Sequence, residues 1–237
     1  MVLLGSIVNG IGIAIGTLVG RIFRNIPEKM KETIMYAIGL VVVLIGIQMG
    51  IKSEQILIVI LSLVIGAALG EWWALDEKLN AAGHFLERML KSKGETQIAE
   101  AFVNATLIFV IGAMAILGAL DSGIRGDHSV LYTKAIIDGF TAIVLASALG
   151  IGVLFSAVPV MLYEGLIAVC AKAIAHFVPG DLLDLFIVEM GATGGIMIVA
   201  IGLNIMGITK IRVANLLPAI VMAVMLVAVF YYGHIQL

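Results

Sequence analysis

Apolar runs of about twenty residues recur along almost the whole chain, separated by short polar links. At about 1.5 Å per residue, a helix of that length crosses roughly 30 Å of hydrocarbon. Hydrocarbon offers no partner to a backbone N–H or C=O, so each run must satisfy its own and is expected to be helical. The runs cover about 2–20, 33–51, 54–74, 104–120, 131–155, 157–178, 183–207 and 213–233. Across 237 residues the chain is 62% hydrophobic and only 13% charged, whereas soluble domains are about 25% charged. The expected fold class is an all-α integral membrane protein with seven or eight transmembrane helices, internal repeats and amphipathic interfacial helices. It reads as a single polytopic membrane domain over 1–237.

The same composition excludes several functions. A net charge of −2 without runs of like charge argues against nucleic acid as a partner. A lone cysteine, Cys170, rules out an intramolecular disulfide and reads as a small buried apolar residue. Gly10, Gly12 and Gly16 resemble a dinucleotide loop only superficially, with no strand before them, so close helix packing is the better reading. Gly191-Ala-Thr-Gly-Gly195 is read the same way, or as a helix break. No HExxH, GxSxG, P-loop or paired-cysteine pattern is present, so neither an enzyme nor a bound cofactor is expected. The first twenty residues lack a basic leader and a small-residue cleavage site, and read as the first span.

The links set an orientation. Arg21, Arg24, Lys29 and Lys31 follow the first run, and Lys78, Arg88, Lys91 and Lys93 follow the third. Lys52, Arg125 and Lys134 fall in the alternate links, so basic residues favour one side by eight to three. Basic loops stay in the cytoplasm, which puts the N-terminus outside. Trp72 and Trp73 suit a lipid–water boundary. Residues 75–95 carry Leu75, Leu79, Ala82, Leu86, Met89 and Leu90 at helical spacing, as an amphipathic surface helix would. The ambiguous piece is 157–178, long enough to span yet with Glu164, Lys172 and His176 at eight- and four-residue intervals. Charge favours its spanning, for eight helices; repeat symmetry favours seven with an interfacial helix.

The repeat is visible in GLVVVLIGIQMGI (39–51), GAMAILGALDSGI (112–124) and GIMIVAIGLNIMGI (195–208), each carrying one polar residue near its end. TKAIIDGFTAIV (133–144) matches TKIRVANLLPAIV (209–221) with one gap, and IGTLVG (15–20) echoes IGAALG (65–70). Transporters are often built from such repeats, with their sites at the repeat interface.

Chemistry should sit where polar groups interrupt the apolar runs: Asn9, Gln48, Asn104, Asp121, Lys134, Asp138, Asn204 and Asn215. A charge at membrane depth costs about 2.5 kcal/mol or more, so these groups should face the bundle interior. The commoner role of such amides is interhelical hydrogen bonding, and of Lys134 and Asp138 an i, i+4 ion pair. Thr141 should share their stripe, and Asn215, matched to Asp138 in the repeat, could approach it. His84 and His128 stand alone among other residue types and read as solvated rather than as metal ligands.

GSIVNGIGIAIGTLVG (5–20), GAMAILGALDSGIRGDHSVLYTKAIIDG (112–139), SALGIGVLFSAVPVMLYEG (147–165) and GGIMIVAIGLNIMGITKIRVANLLPAI (194–220) carry a family likeness. In them the chain resembles the YqgA/YdfK-like bacterial inner-membrane proteins, the domain of unknown function 554. The resemblance implies a multi-pass plasma-membrane protein and carries no activity with it; Glu164 departs from the neutral polar residue it leads one to expect. The expected function is a small secondary transporter or ion pathway, and its rival a non-transporting scaffold, sensor or partner subunit. The expected partners are the lipid bilayer and an ion or small-molecule substrate, with a homo-oligomer left open.

Overall fold

The computed structural model describes residues 2–22, 28–78, 81 and 97–233. The helices among them are α1 (Leu4–Ile22), α2 (Glu28–Gly50), α3 (Ile56–Trp72), α4 (Gln97–Val110), α5 (Ala113–Ile124), α6 (Ser129–Leu149), α7 (Ala157–Phe177), α8 (Gly180–Ile205) and α9 (Pro218–Tyr232). Short 3-10 turns, Ile151–Ser156 and Val213–Leu216, precede α7 and α9. The chain forms two compact units, the first of residues 1–35 and 79–176 and the second of 36–78 and 177–237.

The helices are inside-out by the standard of a soluble protein. On α1, Ile7, Ile11, Ile15, Leu18 and Ile22 are exposed, while Gly5, Asn9, Gly16, Thr17 and Gly20 are buried. On α6, Ile136, Ile137, Phe140 and Val144 face outward and Lys134 and Asp138 inward. Water would reverse that choice, since burying each such aliphatic side chain yields about 1.5–3 kcal/mol. A hydrocarbon solvent removes the incentive and favours small residues at helix contacts. The protein is a helical membrane protein. Leu4–Ile22, Ser129–Leu149, Ile151–His176, Gly180–Ile205 and Val213–Tyr232 are each long and apolar enough to cross a bilayer, while the apolar stretches Met35–Gly50 and Ile56–Trp72 are shorter.

In the first unit α1 runs parallel to α6, with Gly12, Gly16 and Gly20 seated on Ala135, Gly139 and Ile143. A Cβ on Gly12 would lie 2.7 Å from the Ala135 carbonyl oxygen, so glycine sets this approach. The glycines of the first run are therefore packing residues, as expected. The run 104–120 is not one continuous helix: α4 ends at Val110, α5 begins at Ala113, and their axes differ by 60°. The second run stops being α-helical at Leu149, where Gly150 takes φ 87°.

In the second unit α3 runs antiparallel to α9, with Gly66 against Ala219 and Gly70 against Asn215. Gly46 of α2 and Gly195 of α8 face each other, each placing an added Cβ 2.5–2.7 Å from the other's carbonyl oxygen. Gly195 is thus a packing residue within an unbroken helix, whereas a Cβ on Gly191 would meet nothing. Pro218 lies inside the span-length stretch Val213–Tyr232 but at the first position of α9, where its missing N–H costs nothing. The matched segments pack in opposite senses, 15–20 parallel to α6 and 65–70 antiparallel to α9. Trp72 and Trp73 are exposed, but Cys170 is exposed too and not buried, because it points away from the face of α7 that carries Glu164. Most of the surface helix expected over 75–95, with His84, lies outside the described residues; 75–78 form one helical turn.

Candidate functional site

Four side chains from three helices of the first unit meet in its interior. Asn9 comes from α1, Lys134 and Asp138 from α6, one turn apart, and Glu164 from α7. Asn9 and Glu164 are fully buried, and Lys134 and Asp138 are 5% and 7% exposed. Asn9 Nδ2 donates to Glu164 Oε1 at 2.7 Å and to Asp138 Oδ2 at 3.1 Å, using both amide protons. Lys134 Nζ donates to Asp138 Oδ2, lies 3.5 Å from Glu164 Oε1, and donates to the Phe109 carbonyl oxygen at 2.9 Å.

The break between α4 and α5 supplies that last partner. Phe109 lies in the final turn of α4, where the carbonyls have lost their intrahelical donors and form the negative end of the helix dipole. A continuous helix would have used the Phe109 carbonyl on the residue-113 N–H. The kink frees it for an ammonium, as unwound segments in transporters do for cations. Two polar atoms of the cluster accept no hydrogen bond, Asn9 Oδ1 and Glu164 Oε2. Leaving a buried acceptor unmade costs about 1–3 kcal/mol.

Of the residues singled out from the sequence, Asn9, Lys134 and Asp138 are brought together, and the Lys134–Asp138 pair forms. Asn104 is buried in α4. Asp121 is half-exposed in the last turn of α5 and pairs with Arg125 at 3.6 Å. Gln48 is exposed on α2, not turned inward, because the buried faces of that stretch belong to Gly46 and Gly50. Asn204 closes the loop after α8, donating to the Ile211 carbonyl and accepting from Thr209 and the Ile211 N–H. Asn215 is spent in the second unit, donating to Glu71 at 2.6 Å and accepting from the Asp76 N–H, so it does not serve Asp138. Thr141 donates to its own helix at Ile137. His128 is half-buried in the link and hydrogen-bonded to Ser122 at 2.7 Å. Beside it Asp127 accepts from the Ser129 hydroxyl and N–H, which hold its carboxyl below the usual range.

Sequence reasoning passed over two carboxylates. Glu164 was noted on the ambiguous 157–178 run, with Lys172 and His176, but not among the site candidates, and Glu189 was not singled out. Glu189 is fully buried on α8 and reaches the N-terminus of α3, accepting from Glu54 and Gln55 N–H at 2.8 and 2.9 Å and from Ser53 at 2.7 Å. Each interrupts an apolar run, the same signal that marked Asp138.

Residues 4–228 match the family described as "Protein of unknown function (DUF554)". The chain belongs to that family. It is 31% identical over 232 residues to "Uncharacterized membrane protein YdfK" of Bacillus subtilis (strain 168), covering 96% of each chain. It is 27% identical over 230 residues to "Uncharacterized protein YqgA" of Escherichia coli (strain K12), covering 95% of this chain and 96% of the other. No solved structure is significantly similar to it. The family membership agrees with a membrane protein and assigns no chemistry, which leaves the buried cluster to be read on its own terms.

Proposed function

We propose that this family member is a small secondary transporter or ion pathway of the bacterial plasma membrane, and that the Asn9–Lys134–Asp138–Glu164 cluster handles the ion. One observation carries the reading: three ionisable side chains are buried among apolar helices around a broken helix, with two acceptor atoms left open. Replacing a buried ion pair by packed apolar residues is often neutral or stabilising, so stability alone gives little reason to keep one. The substrate is an ion or small molecule, transported rather than chemically altered, and the lipid bilayer is the surrounding partner. A homo-oligomer is compatible with the exposed apolar faces.

The finer topology follows. Eight spans are favoured by the length of Ile151–His176 and by the burial of Glu164, which an interfacial helix would turn to water. Basic residues in the links favour an external N-terminus. What supports the repeat is the residue match, with Gln48, Asp121 and Asn204 in the last turns of α2, α5 and α8.

The rival reading, a non-transporting scaffold whose polar groups only join helices, is favoured by the hydrogen bonds the cluster makes within itself. Purified protein in vesicles with a trapped pH dye and imposed Na⁺, K⁺ or proton gradients separates the two. Transport predicts ion movement above protein-free vesicles that is lost in Asp138→Asn, with little change in melting temperature. The scaffold predicts no movement and a loss of roughly 3–5 kcal/mol in that variant, because Lys134 loses its partner.

A further inference from the structure

We infer that Glu164 is the proton-binding residue of the cluster, carrying its proton on Oε2 against the open carbonyl oxygen of Asn9. The inference takes from the transport reading only what the proton is for, and not where it binds.

Charge balance comes first. Two carboxylates and one ammonium leave one negative charge in excess, in surroundings where an uncompensated charge is costly. One further monovalent positive charge makes the cluster neutral. The groups facing Glu164 among the described residues limit what can supply it. Asn9 comes from α1 and Lys134 and Asp138 from α6, with Tyr163 its neighbour on α7; the Phe109 carbonyl at the end of α4 meets Lys134. None of these brings a second cation.

Hydrogen bonding then selects the atom. Asp138 Oδ2 already accepts from both Lys134 and Asn9. Glu164 Oε1 accepts from Asn9, whereas Oε2 accepts from nothing, and neither does Asn9 Oδ1. A primary amide and a carboxylic acid are complementary, each offering one donor and one acceptor to the other. Half of that pairing is present in the Nδ2 to Oε1 bond. A proton on Oε2 completes it by giving Asn9 Oδ1 the donor it lacks. An ionised Glu164 would instead leave both of these oxygens as acceptors without a donor. A hard divalent cation fits less well, since Mg²⁺ and Ca²⁺ take six or more oxygen ligands and two are open here.

Release breaks the O–H bond of Glu164, leaves the electron pair on Oε2 and passes the proton to water, taking the cluster from neutral to one negative charge. Lys134 is the group that responds. Its ammonium, 3.5 Å from Glu164 Oε1, moves toward the new carboxylate and loosens from Asp138 or from the Phe109 carbonyl. Proton binding at α7 is thereby linked to the α4–α5 break.

The test is infrared difference spectroscopy of the full chain in lipid vesicles, stepping the pH and following the carbonyl stretch of protonated carboxyl groups. The wild type should lose a carboxylic-acid band as pH rises. Glu164→Gln should lack that band, and Asp138→Glu, which keeps the charge of the cluster, should leave it at the wild-type frequency. Glu164→Asp, which retains an acid at that position, should show it shifted and guards against misfolding of the Gln variant. A band kept in Glu164→Gln, or one shifted by Asp138→Glu and not by Glu164→Asp, overturns the assignment. So does a wild type without the band whose carboxylate bands respond to Na⁺ or K⁺, which would make the missing charge a metal ion. Absence of ion movement in vesicles that still show the Glu164 band would defeat the transport reading and leave this assignment standing.

Discussion

Lys134 holds more of the cluster than any other side chain, with Asp138, Glu164 and the Phe109 carbonyl all on its ammonium. Lys134→Met keeps the volume and removes the charge, leaving two carboxylates facing one amide. We expect it to lower the unfolding free energy by roughly 3–5 kcal/mol in detergent, more than Asp138→Asn paired with Lys134→Met, which removes both partners. Unfolding of the wild type and these two variants measures the difference. Outside the membrane, Asp127 allows a pH prediction. Its carboxyl titrates lower when folded than when unfolded, so its contribution is complete above the unfolded value, near about 4, and is lost as pH falls through the folded one. The melting temperature of Asp127→Ala should sit slightly below wild type at neutral pH and merge with it in acid. At this scale the sequence was legible where a polar side chain interrupts an apolar run, as at Asn9, Lys134 and Asp138. It misled at Gln48, because polarity does not say which way a side chain turns. The Phe109 carbonyl could not be read at all, since every residue has one.

Among the elements, the α4–α5 break and the α1–α6 contact determine whether the cluster can assemble. The contact rests on the absence of side chains. Gly12→Val should therefore destabilise by about 1–3 kcal/mol through overpacking, read as a fall in melting temperature, and should separate Asn9 from Asp138. The break behaves differently. Gly112 has an extended backbone, φ 165°, and a Cβ there would meet nothing, so Gly112→Ala should leave melting temperature and ion movement near wild type. Apolar periodicity located nearly every helix, but it could not show the kink. No proline marks it, and what holds it open is the ammonium of a residue 25 positions along the chain. For the ambiguous 157–178 run the new observation is the burial of Glu164, a property that a list of charges on one face does not contain.

For the whole molecule, the orientation yields a further prediction: cysteines placed at Lys29 and Lys93 should label only from the cytoplasmic side, and one at Lys52 only from outside. The background must lack Cys170, which is exposed. External labelling at position 93 in intact cells would reverse the assignment. The division into two units was not legible, because hydropathy marks spans and says nothing of which spans associate. That division has a consequence for synthesis. The chain enters the first unit, leaves it at residue 35, returns at 79 and leaves again at 176, so neither unit is a continuous stretch. On the ribosome, α2 and α3 enter the bilayer long before α8 and α9 exist. Until then Ser53 and the N-terminus of α3 await Glu189, and Glu71 awaits Asn215. A nascent chain stalled at His176 would carry a finished first unit tethered to an unpaired helical hairpin, a marked target for membrane quality control.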